Sequence, residues 1–282
     1  MNEAAYREKA KLFSYGHILA QGGRVKVFKS PLLQAESGIK HGFSSRIGGV
    51  STGCFSELNL SLTRDEPDKK APDNFRILCA SEGLSHESLA VVNYEHGDVV
   101  LPVTASDAGR GFEKAPFAPC DGIVTNERDI TLVTLHADCS AYFLYDRRKK
   151  VVGLCHAGWK GTLARIGQNA VELMHSRYGC EPGDILAAVG PCISQRNFEV
   201  DESLGLRFLA EFGCESLCRE GKPGKLMLDI EAAAAISFLD AGISPENISL
   251  MNVCTYGTPE LLYSYRRDNA NSGAMAAYIC LI

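Results

Sequence analysis

The chain has 282 residues, of which 45% are hydrophobic and 22% charged, a composition typical of soluble globular proteins. Its formal net charge of -5 argues against a nucleic-acid partner, because phosphate binding needs an excess of positive charge. No hydrophobic run reaches the roughly 20 residues of a membrane span, and the N-terminal stretch MNEAAYREKAKLF is too charged for a secretory signal. We therefore expect a cytoplasmic protein with neither a nucleic-acid nor a membrane partner.

Hydrophobic runs alternate along the chain with segments that end just before a glycine. We predict strands at seven of these runs, over residues 99–103, 130–135, 142–145, 151–155, 185–189, 248–254 and 276–282. Several runs are hydrophobic without interruption, which indicates strands covered on both faces. We predict helices over residues 74–82, 163–178, 204–212 and 230–241, because a glycine after a helix readily adopts the positive φ of a C-terminal cap. Thr162 is the predicted N-cap of the second helix.

The order of these elements predicts one α/β (α+β) domain that spans residues 1–282. No internal repeat and no low-complexity linker divides the sequence, and residues 104–119 are predicted to form a long loop. The motif G-x-G-x-x-G, which is typical of dinucleotide-binding domains, is absent from the sequence.

Eleven cysteines are an unusual feature of this sequence. An odd number cannot all pair within one chain, and there is no C-x-x-C motif to indicate a redox pair or a zinc ribbon. In a reducing compartment we expect most of these cysteines to be small buried residues, with one of them carrying chemistry. Cys139 is the candidate, because it follows a predicted strand closely and has a carboxylate, Asp138, beside it.

Three histidines also flank predicted strands: His96 precedes one, and His136 and His156 each follow one. Cys139 and His156 are separated by a strand-length segment and a turn, so adjacent strands can bring them together, whereas His96 must arrive from elsewhere in the fold. Two imidazoles and one thiolate suit Zn²⁺ and leave a fourth position for water or substrate. A simpler interpretation, a core cysteine beside hydrogen-bonded histidines, stays open on the spacing alone.

A cysteine nucleophile is a competing interpretation of the same residues. Cys139 beside Asp138, with His136 or His156 as the base, has the composition of a Cys–His hydrolase. Cys155 directly precedes His156, and neighbours on a strand point to opposite faces. If His156 faces the site, we therefore expect Cys155 to face the core.

Nine short motifs are spread over nearly the whole chain. They are F-S-S-R-I-G-G-V-S (43–51), L-N-L (58–60), E-H-G (95–97), C-D-G (120–122), A-D-C (137–139), H-A-G-W-K-G (156–161), G-P-C-I (190–193), C-T-Y (254–256) and S-Y-R-R-D (264–268). In these motifs and their order the sequence resembles the YfiH-like family, also called laccase-domain or polyphenol oxidase proteins and described as purine nucleoside phosphorylases.

This resemblance implies a fold, a metal site and a reaction. The fold is a single domain of stacked mixed β-sheets flanked by helices. The metal site is a zinc site made by the histidine of E-H-G, the cysteine of A-D-C and the histidine of H-A-G-W, which are His96, Cys139 and His156 in this sequence. The reactions are phosphorolysis of adenosine, inosine, guanosine and methylthioadenosine, and deamination of adenosine.

The sequence departs from the family's pattern at three positions that we expect to line the pocket. Tyr94 replaces a glutamine, His136 replaces a threonine, and Ala274 replaces the arginine of a Gly-Arg-Met pattern. These changes bear on substrate preference and leave the three metal ligands intact. We expect His136 to be hydrogen-bonded to the backbone, with a further ligand role as the alternative.

The leading hypothesis is therefore a zinc enzyme that acts on purine nucleosides and inorganic phosphate. The predicted catalytic residues are Asp138, Cys139 and Arg46, with Asp138 as the proton shuttle in deamination. Arg46 lies in a glycine-rich turn and is predicted to hold phosphate, for which Arg266 and Arg267 are alternatives.

The residues predicted to bind substrate come from four of the motifs and are Arg46, Asn59, Trp159 and Arg266. Of these, Trp159 is the candidate for stacking on a purine, although a place in the core is the commoner position of a single tryptophan.

Three other functions compete with the leading hypothesis. Copper-dependent phenol oxidation follows the older family name and makes Cu²⁺ the alternative ion, but the seven histidines include no H-x-H pair. A metal-free cysteine hydrolase and a metal-buffering or interaction protein without enzymatic activity are the other two. The oligomeric state, monomer or homodimer, is left open by the sequence.

Overall fold

The computed structural model describes residues 1–64, 66–67 and 69–282. The strands, in chain order, are β1 (Ser14–Tyr15), β2 (Ile18–Gly22), β3 (Val25–Lys29), β4 (Ile39–Ser44), β5 (Leu89–Val91), β6 (Val100–Pro102), β7 (Gly122–Thr125), β8 (Thr131–His136), β9 (Ser140–Asp146), β10 (Val151–Ala157), β11 (Ile185–Val189), β12 (Glu199–Asp201), β13 (Cys218–Glu220), β14 (Lys225–Leu228), β15 (Ile248–Leu250) and β16 (Met275–Leu281). The α-helices are α1 (Glu3–Ala10), α2 (Pro31–Gln34), α3 (Ala71–Glu82), α4 (Trp159–Leu163), α5 (Ile166–Tyr178), α6 (Glu202–Phe212), α7 (Ile230–Asp240) and α8 (Tyr265–Asp268). Within these described ranges, no helix combines the length and the hydrophobicity needed to span a membrane.

Two large mixed sheets stack face to face at the centre of the structure. One has seven strands in the order β1-β15-β11-β9-β10-β7-β6, and the other has six in the order β2-β3-β4-β16-β8-β5. A single hydrophobic cluster contains Phe43 and Ile279 from the six-stranded sheet together with Phe143 and Leu154 from the seven-stranded sheet. The space between the sheets is therefore the main core of the protein.

Helices cover the outer faces of both sheets. Ala170 and Met174 of α5 and Phe238 of α7 pack in one cluster with Leu144, which points away from the neighbouring sheet. On the other side, α3 covers the six-stranded sheet through a cluster that includes Phe75. This arrangement of helices, two mixed sheets and helices confirms the predicted fold class. The central strands β8, β9 and β10 are buried along their whole length, as their uninterrupted hydrophobicity predicts.

A third, three-stranded sheet in the order β12-β14-β13 lies beside this core. Its hydrophobic cluster combines Phe208 and Phe212 of α6 with Phe198 and Ile230. Phe198 and Ile230 also line a small cavity beside Cys139, so this unit forms one wall of the candidate site.

All seven predicted strands are present, with residues 185–189 matching β11 at both ends and five others matching within three residues at either end. The strand predicted over residues 248–254 is too long, because β15 ends at Leu250. The strands β1 to β5 and β7 were outside the prediction, and so was the three-stranded sheet. The predicted loop at residues 104–119 is confirmed, with one short 3-10 turn at Ala105–Asp107.

The single helix predicted over residues 163–178 is wrong. The chain forms α4 and α5 instead, and Arg165 between them has a left-handed φ of 63°. Its guanidinium donates to carboxylates of Glu211 and Asp240 at 2.8 and 3.0 Å, which holds the break in place. Thr162 lies inside α4 and is not an N-cap, and its hydroxyl is 3.0 Å from that of Tyr142.

Two positions on α6 test how much the small cluster stabilises the fold. Phe208 is fully buried, whereas Leu206 on the same helix is 54% exposed. We expect Phe208→Ala to lower the free energy of unfolding by about 3–5 kcal/mol, because it leaves a cavity in a packed cluster. Leu206→Ala, the matched control, should change it by less than about 0.5 kcal/mol. Urea denaturation of both variants measures the difference, and equal losses would contradict this account of the cluster.

The buried His41 on β4 predicts a pH dependence of stability. Burial, together with the charge of Lys29, lowers the pKa of His41 to about 3, and its Nε2 accepts the backbone N–H of Ser30 at 3.0 Å. Between about pH 6.5 and pH 3 the unfolded chain binds a proton at this residue that the native state does not bind. The unfolding free energy should therefore fall as pH falls through this window, at up to about 1.4 kcal/mol per pH unit.

The variant His41→Gln keeps an acceptor for Ser30 and removes the titrating ring. Between pH 6 and pH 5, its unfolding free energy should fall less steeply than that of the unmodified protein, by about 1 kcal/mol per pH unit. Urea unfolding curves across this range give both slopes, and parallel slopes would show that His41 does not carry the effect.

Candidate metal centre

His156 lies near the end of β10 and is almost completely buried. Its Nδ1 lies 3.0 Å from Oδ1 of Asp121, and its backbone N–H donates to the carbonyl oxygen of Asp121 at 2.7 Å. With Nδ1–H donating to the carboxylate, Nε2 is left to bind a further group. A carboxylate on the second ring nitrogen is typical of histidines that bind metals. Cys155, the preceding residue, lies in the cluster beneath α5, which confirms that it faces the core.

His96 lies in the loop between β5 and β6, and the same carboxylate holds this loop in place. The backbone N–H groups of Glu95, His96 and Gly97 donate to Asp121 at 3.1, 3.0 and 2.8 Å. His96 has a left-handed φ of 62°, a conformation that a non-glycine residue adopts at some cost in energy. Three hydrogen bonds from consecutive amides to one buried carboxylate stabilise it.

Cys139 lies in the tight turn between β8 and β9, where Asp138 has a φ of 96°. One ligand atom from each of His96, Cys139 and His156 lies within 4.8 Å of the other two. The three residues predicted as metal ligands are therefore brought together, and they form a candidate metal site.

Two glycines of the H-A-G-W-K-G motif make this approach possible. A Cβ on Gly158 would lie 3.1 Å from Sγ of Cys139 and 3.1 Å from Cδ2 of His96. A Cβ on Gly161 would lie 2.5 Å from the carbonyl oxygen of Gly97. Larger residues at these positions would push the His96 loop away from β10.

The charges of the cluster favour a thiolate next to a protonated imidazole when no metal is bound. Burial raises the pKa of Cys139, but the charge and hydrogen bonds of His156 and His96 outweigh burial and bring it to about 7. Burial lowers the pKa of His156, but Cys139 and Asp121 outweigh this effect and raise it to about 9. A thiolate is the form of cysteine that binds metals or acts as a nucleophile.

His136 is hydrogen-bonded on both ring nitrogens, as predicted for a histidine at a strand end. Nδ1 lies 3.0 Å from the carbonyl oxygen of Cys139, so Nδ1–H donates to it, and Nε2 lies 2.6 Å from the hydroxyl of Thr134. Burial and the charge of His156 lower its pKa well below the usual value. His136 is therefore neutral, and its ring packs against that of His156 with the two centroids 5.3 Å apart.

Asp138 points to the other side of Cys139. Its carboxylate accepts hydrogen bonds from the hydroxyl of Thr255 at 2.6 Å, the hydroxyl of Ser264 at 3.0 Å and the backbone N–H of Arg266 at 2.7 Å. A carboxylate has about four acceptor positions, so one position is left for a substrate.

Two cavities meet at Cys139. The smaller, about 140 Å³, is largely hydrophobic, and its walls include Asp138, Trp159, Phe198 and Arg266. The larger, about 390 Å³, is more polar and is lined by Ser61, Arg64, Tyr94, His96, Leu135, His136, Ala137, Cys139, His156, Tyr265 and Ala274. Ala137, Cys139 and Tyr265 line both cavities.

All three positions at which the sequence departs from the family's pattern line the larger cavity, as expected. Tyr94 packs against two of the candidate ligands, with ring centroids 5.4 Å from that of His96 and 4.7 Å from that of His156. Ala274, with its short side chain, and His136 complete this group.

Arg46 and Asn59 lie outside the linings of both cavities. The guanidinium of Arg46 donates to the carbonyl oxygens of Ser56 and Pro259 at 2.6 and 3.3 Å, and it lies over the ring of Tyr263. Asn59 is completely buried and accepts the backbone N–H groups of residues 61 and 274, both at 3.0 Å. The predicted roles of Arg46 and Asn59 in substrate binding stay predictions.

Asp121 is the residue of this site to which the sequence analysis gave no role. Its position in the C-D-G motif, a carboxylate directly before the buried strand β7, was the available signal. Burial raises the pKa of Asp121, but hydrogen bonds from His156 and from the backbone of Gly97 and Glu95 outweigh burial and lower it.

Known proteins are similar to this chain in sequence and in fold. The chain is 33% identical over 242 residues to the purine nucleoside phosphorylase YlmD of Bacillus subtilis, covering 84% of this chain and 87% of that protein. The crystal structure of YlmD from Geobacillus stearothermophilus superposes with a TM-score of 0.87 at 30% identity, covering 94% of this chain and 99% of that chain. The crystal structure of the Bacillus licheniformis hypothetical protein YfiH gives a TM-score of 0.85 at 25% identity, with coverages of 92% and 97%.

The sequence also matches a model of one protein family over most of its length. The description of that family is multi-copper polyphenol oxidoreductase laccase, and the match covers residues 40–282. The resemblance identified from the nine motifs is thereby confirmed, and the chain belongs to this laccase-domain family.

Proposed function

We propose that this chain is a metal-dependent enzyme that cleaves purine nucleosides with inorganic phosphate and also deaminates adenosine. Adenosine, inosine, guanosine and methylthioadenosine are the proposed substrates of the first reaction. The observation that supports the proposal is the convergence of His96, Cys139 and His156 where two cavities meet. The name of the Bacillus subtilis relative supplies the substrate class. We further propose that residues 1–282 form one catalytic domain and that the enzyme works in the cytoplasm.

The three converging side chains fit a bound Zn²⁺. Metal–ligand distances of about 2.0–2.3 Å place the ligand atoms of a tetrahedral ion roughly 3.3–3.8 Å apart, and the atoms here lie within 4.8 Å of one another. His156 presents Nε2, and Cys139 has a pKa low enough for a thiolate at neutral pH. The ion would supply a Lewis acid at the junction of the two cavities.

In phosphorolysis, an oxygen of phosphate forms a bond to C1′ of ribose while the bond from C1′ to the purine nitrogen breaks. The electron pair of the broken bond leaves with the purine, which must then gain a proton. The reaction therefore needs a surface for the base, a cationic group for phosphate and a polar group near the leaving base.

The smaller cavity suits the base. Trp159, Phe198 and Tyr265 offer aromatic surface, on which a flat purine can stack. Asp138 opens into the same cavity with one acceptor position free of hydrogen bonds from the described residues. We assign two roles to Asp138. It orients the purine by accepting a hydrogen bond from an N–H group of the base, and it transfers protons in deamination. In that reaction the oxygen of water bonds to C6 of adenine, and the 6-amino group leaves as ammonia.

A cysteine hydrolase is a second candidate function, because the same atoms form another known arrangement. Asp121 holds Nδ1 of His156, and His156 in turn lies against the thiolate of Cys139. This order of carboxylate, imidazole and thiol is that of a catalytic triad. A triad of this kind works without metal, so a chelator leaves its activity intact.

Phenol oxidation is a third candidate, favoured by the description of the matching family. A copper ion can also bind two imidazoles and a thiolate. Among the described residues, however, this is the one group of three or more such side chains close enough to hold an ion. Stoichiometric copper together with turnover of a phenol would favour this candidate.

The proposed activity predicts a specific set of products. Incubation of zinc-loaded protein with adenosine and phosphate should release adenine and ribose 1-phosphate, and omission of phosphate should stop this release. Inosine should form with or without phosphate, because deamination consumes water. Chromatography of adenine, inosine and hypoxanthine measures both reactions, and removal of the metal by a chelator should abolish them. Full activity after metal removal would contradict the proposed metal dependence, and no turnover by the zinc-loaded protein would contradict the proposed function.

The proposed ligands predict a loss of metal from one cysteine variant and not from another. Cys139→Ser replaces a thiolate ligand by a neutral hydroxyl and should lower the affinity for Zn²⁺ by at least about tenfold. Cys54→Ser is the matched control, because Cys54 is exposed and touches Arg46 through its backbone carbonyl. Elemental analysis after dialysis should find zinc in the control and little in Cys139→Ser. Equal zinc in both variants would exclude Cys139 as a ligand.

A further inference from the structure

The larger cavity contains a cationic side chain to which no role has been assigned. Arg64 is half-buried and lines this cavity together with the three candidate metal ligands. Its guanidinium lies over the ring of Tyr265, with the central carbon 5.0 Å from the ring centroid. Tyr265 lines both cavities, so Arg64 is positioned beside the junction.

The turn that carries Arg64 is anchored at several points. The backbone N–H of Arg64 donates to the hydroxyl of Ser61 at 3.1 Å, and its carbonyl oxygen accepts the N–H of Glu66 at 2.9 Å. Glu66 is itself buried, at 4% exposure, and accepts the side-chain N–H of Asn59 at 3.1 Å. This network fixes the backbone from which Arg64 extends and gives the buried Asn59 a function in shaping the cavity.

The charge of the cavity lining favours an anion. Arg64 is the one lysine or arginine among its described residues, and none of them is an aspartate or glutamate. The thiol of Cys139 lines the same cavity and is the group proposed to bind the metal. The carboxylate that serves the site, Asp121, is buried behind the histidines and accepts their hydrogen bonds. Among the described residues of the lining, an anion therefore meets the guanidinium of Arg64 without a facing carboxylate.

Arg64 also differs from the arginines predicted to hold phosphate. The guanidinium groups of Arg46, Arg266 and Arg267 each donate to backbone carbonyl oxygens, for example to Glu199 at 2.8 Å in Arg266 and to Leu262 at 2.9 Å in Arg267. Within the described part of the chain, the guanidinium of Arg64 has an aromatic contact and donates no hydrogen bond. Its N–H groups are available for the bidentate contact that arginine makes with phosphate.

We propose that Arg64 binds the inorganic phosphate that attacks the nucleoside, and that it does so in the larger cavity while the purine occupies the smaller one. This inference rests on the proposed phosphorolysis. In the reaction Arg64 holds two phosphate oxygens, which leaves a third oxygen to form the bond to C1′ as the purine departs. Arg64 is therefore a specificity residue that favours phosphate over water as the nucleophile.

Kinetics of Arg64 variants test this assignment. Arg64→Gln should raise KM for phosphate by at least about tenfold, because two charge-assisted hydrogen bonds are lost. KM for adenosine, phosphate-independent deamination and zinc content should stay within about twofold, since none of them uses this guanidinium. Arg64→Lys should give an intermediate KM for phosphate, because lysine keeps the positive charge but cannot make the bidentate contact with two phosphate oxygens. Arg24→Gln, which changes an exposed arginine outside the linings of both cavities, is the matched control.

A second measurement is independent of turnover. Inorganic phosphate should raise the Tm of the unmodified protein and of Arg24→Gln, and the rise should be much smaller for Arg64→Gln, because a ligand stabilises the native state that binds it. The Tm of each variant without phosphate controls for loss of folding. If phosphate raises the Tm of the unmodified protein but the protein does not cleave nucleosides, the proposed function is wrong and the phosphate site is retained. If Arg64→Gln retains the phosphate KM and the phosphate-dependent Tm shift, the assignment of Arg64 is wrong.

Discussion

The carboxylate of Asp121 connects the two chain segments that carry the candidate histidine ligands. It accepts three consecutive backbone N–H groups around His96 and the ring N–H of His156, which lies on a strand of the seven-stranded sheet. A buried carboxylate is costly unless its oxygens are hydrogen-bonded, and here the hydrogen bonds that satisfy it are also those that position the site. The left-handed backbone at His96, the tautomer of His156 and the approach of both to Cys139 all depend on this group. Loss of its charge would therefore disturb the geometry of the site without removing any ligand.

The stacked sheets explain why two cavities of different polarity meet at one cysteine. Cys139 lies in the turn at which the chain passes from a strand of the six-stranded sheet to a strand of the seven-stranded sheet. The three-stranded sheet and its helix close one side with aromatic surface, and the turn that bears Arg64 closes the other with positive charge. A nucleoside and an inorganic anion differ in polarity in the same way. The architecture thus offers the two proposed substrates separate cavities that both include Cys139.

The sequence predicts those elements whose conformation depends on residues close to them in the chain. The strands of the central core were predictable because a run such as residues 185–189 is hydrophobic on both faces, and the three candidate ligands were predictable because each flanks such a run. The break at Arg165 was not, because the contacts that stabilise its left-handed backbone come from Glu211 and Asp240, far away in the sequence. The same holds for Arg64, whose position against Tyr265 depends on the tertiary fold. Asp121 gave a weak signal in its motif, but its role follows only from the convergence of two distant segments.

The eleven cysteines are all free, and their surroundings make them chemically unequal. Burial raises the pKa of Cys79 to about 12 and that of Cys120 to about 11, so these thiols stay protonated and inert at neutral pH. Cys139 and Cys254 differ, because the charge and hydrogen bonds of His156 at Cys139, and hydrogen bonds alone at Cys254, outweigh burial and lower the pKa of each thiol. Thiolates are the forms that peroxides attack, and oxidation of a cysteine sulfur removes its capacity to bind a metal as a thiolate. An ion held by Cys139 would shield that sulfur, so the metal-free protein would be the form most exposed to oxidation at this site.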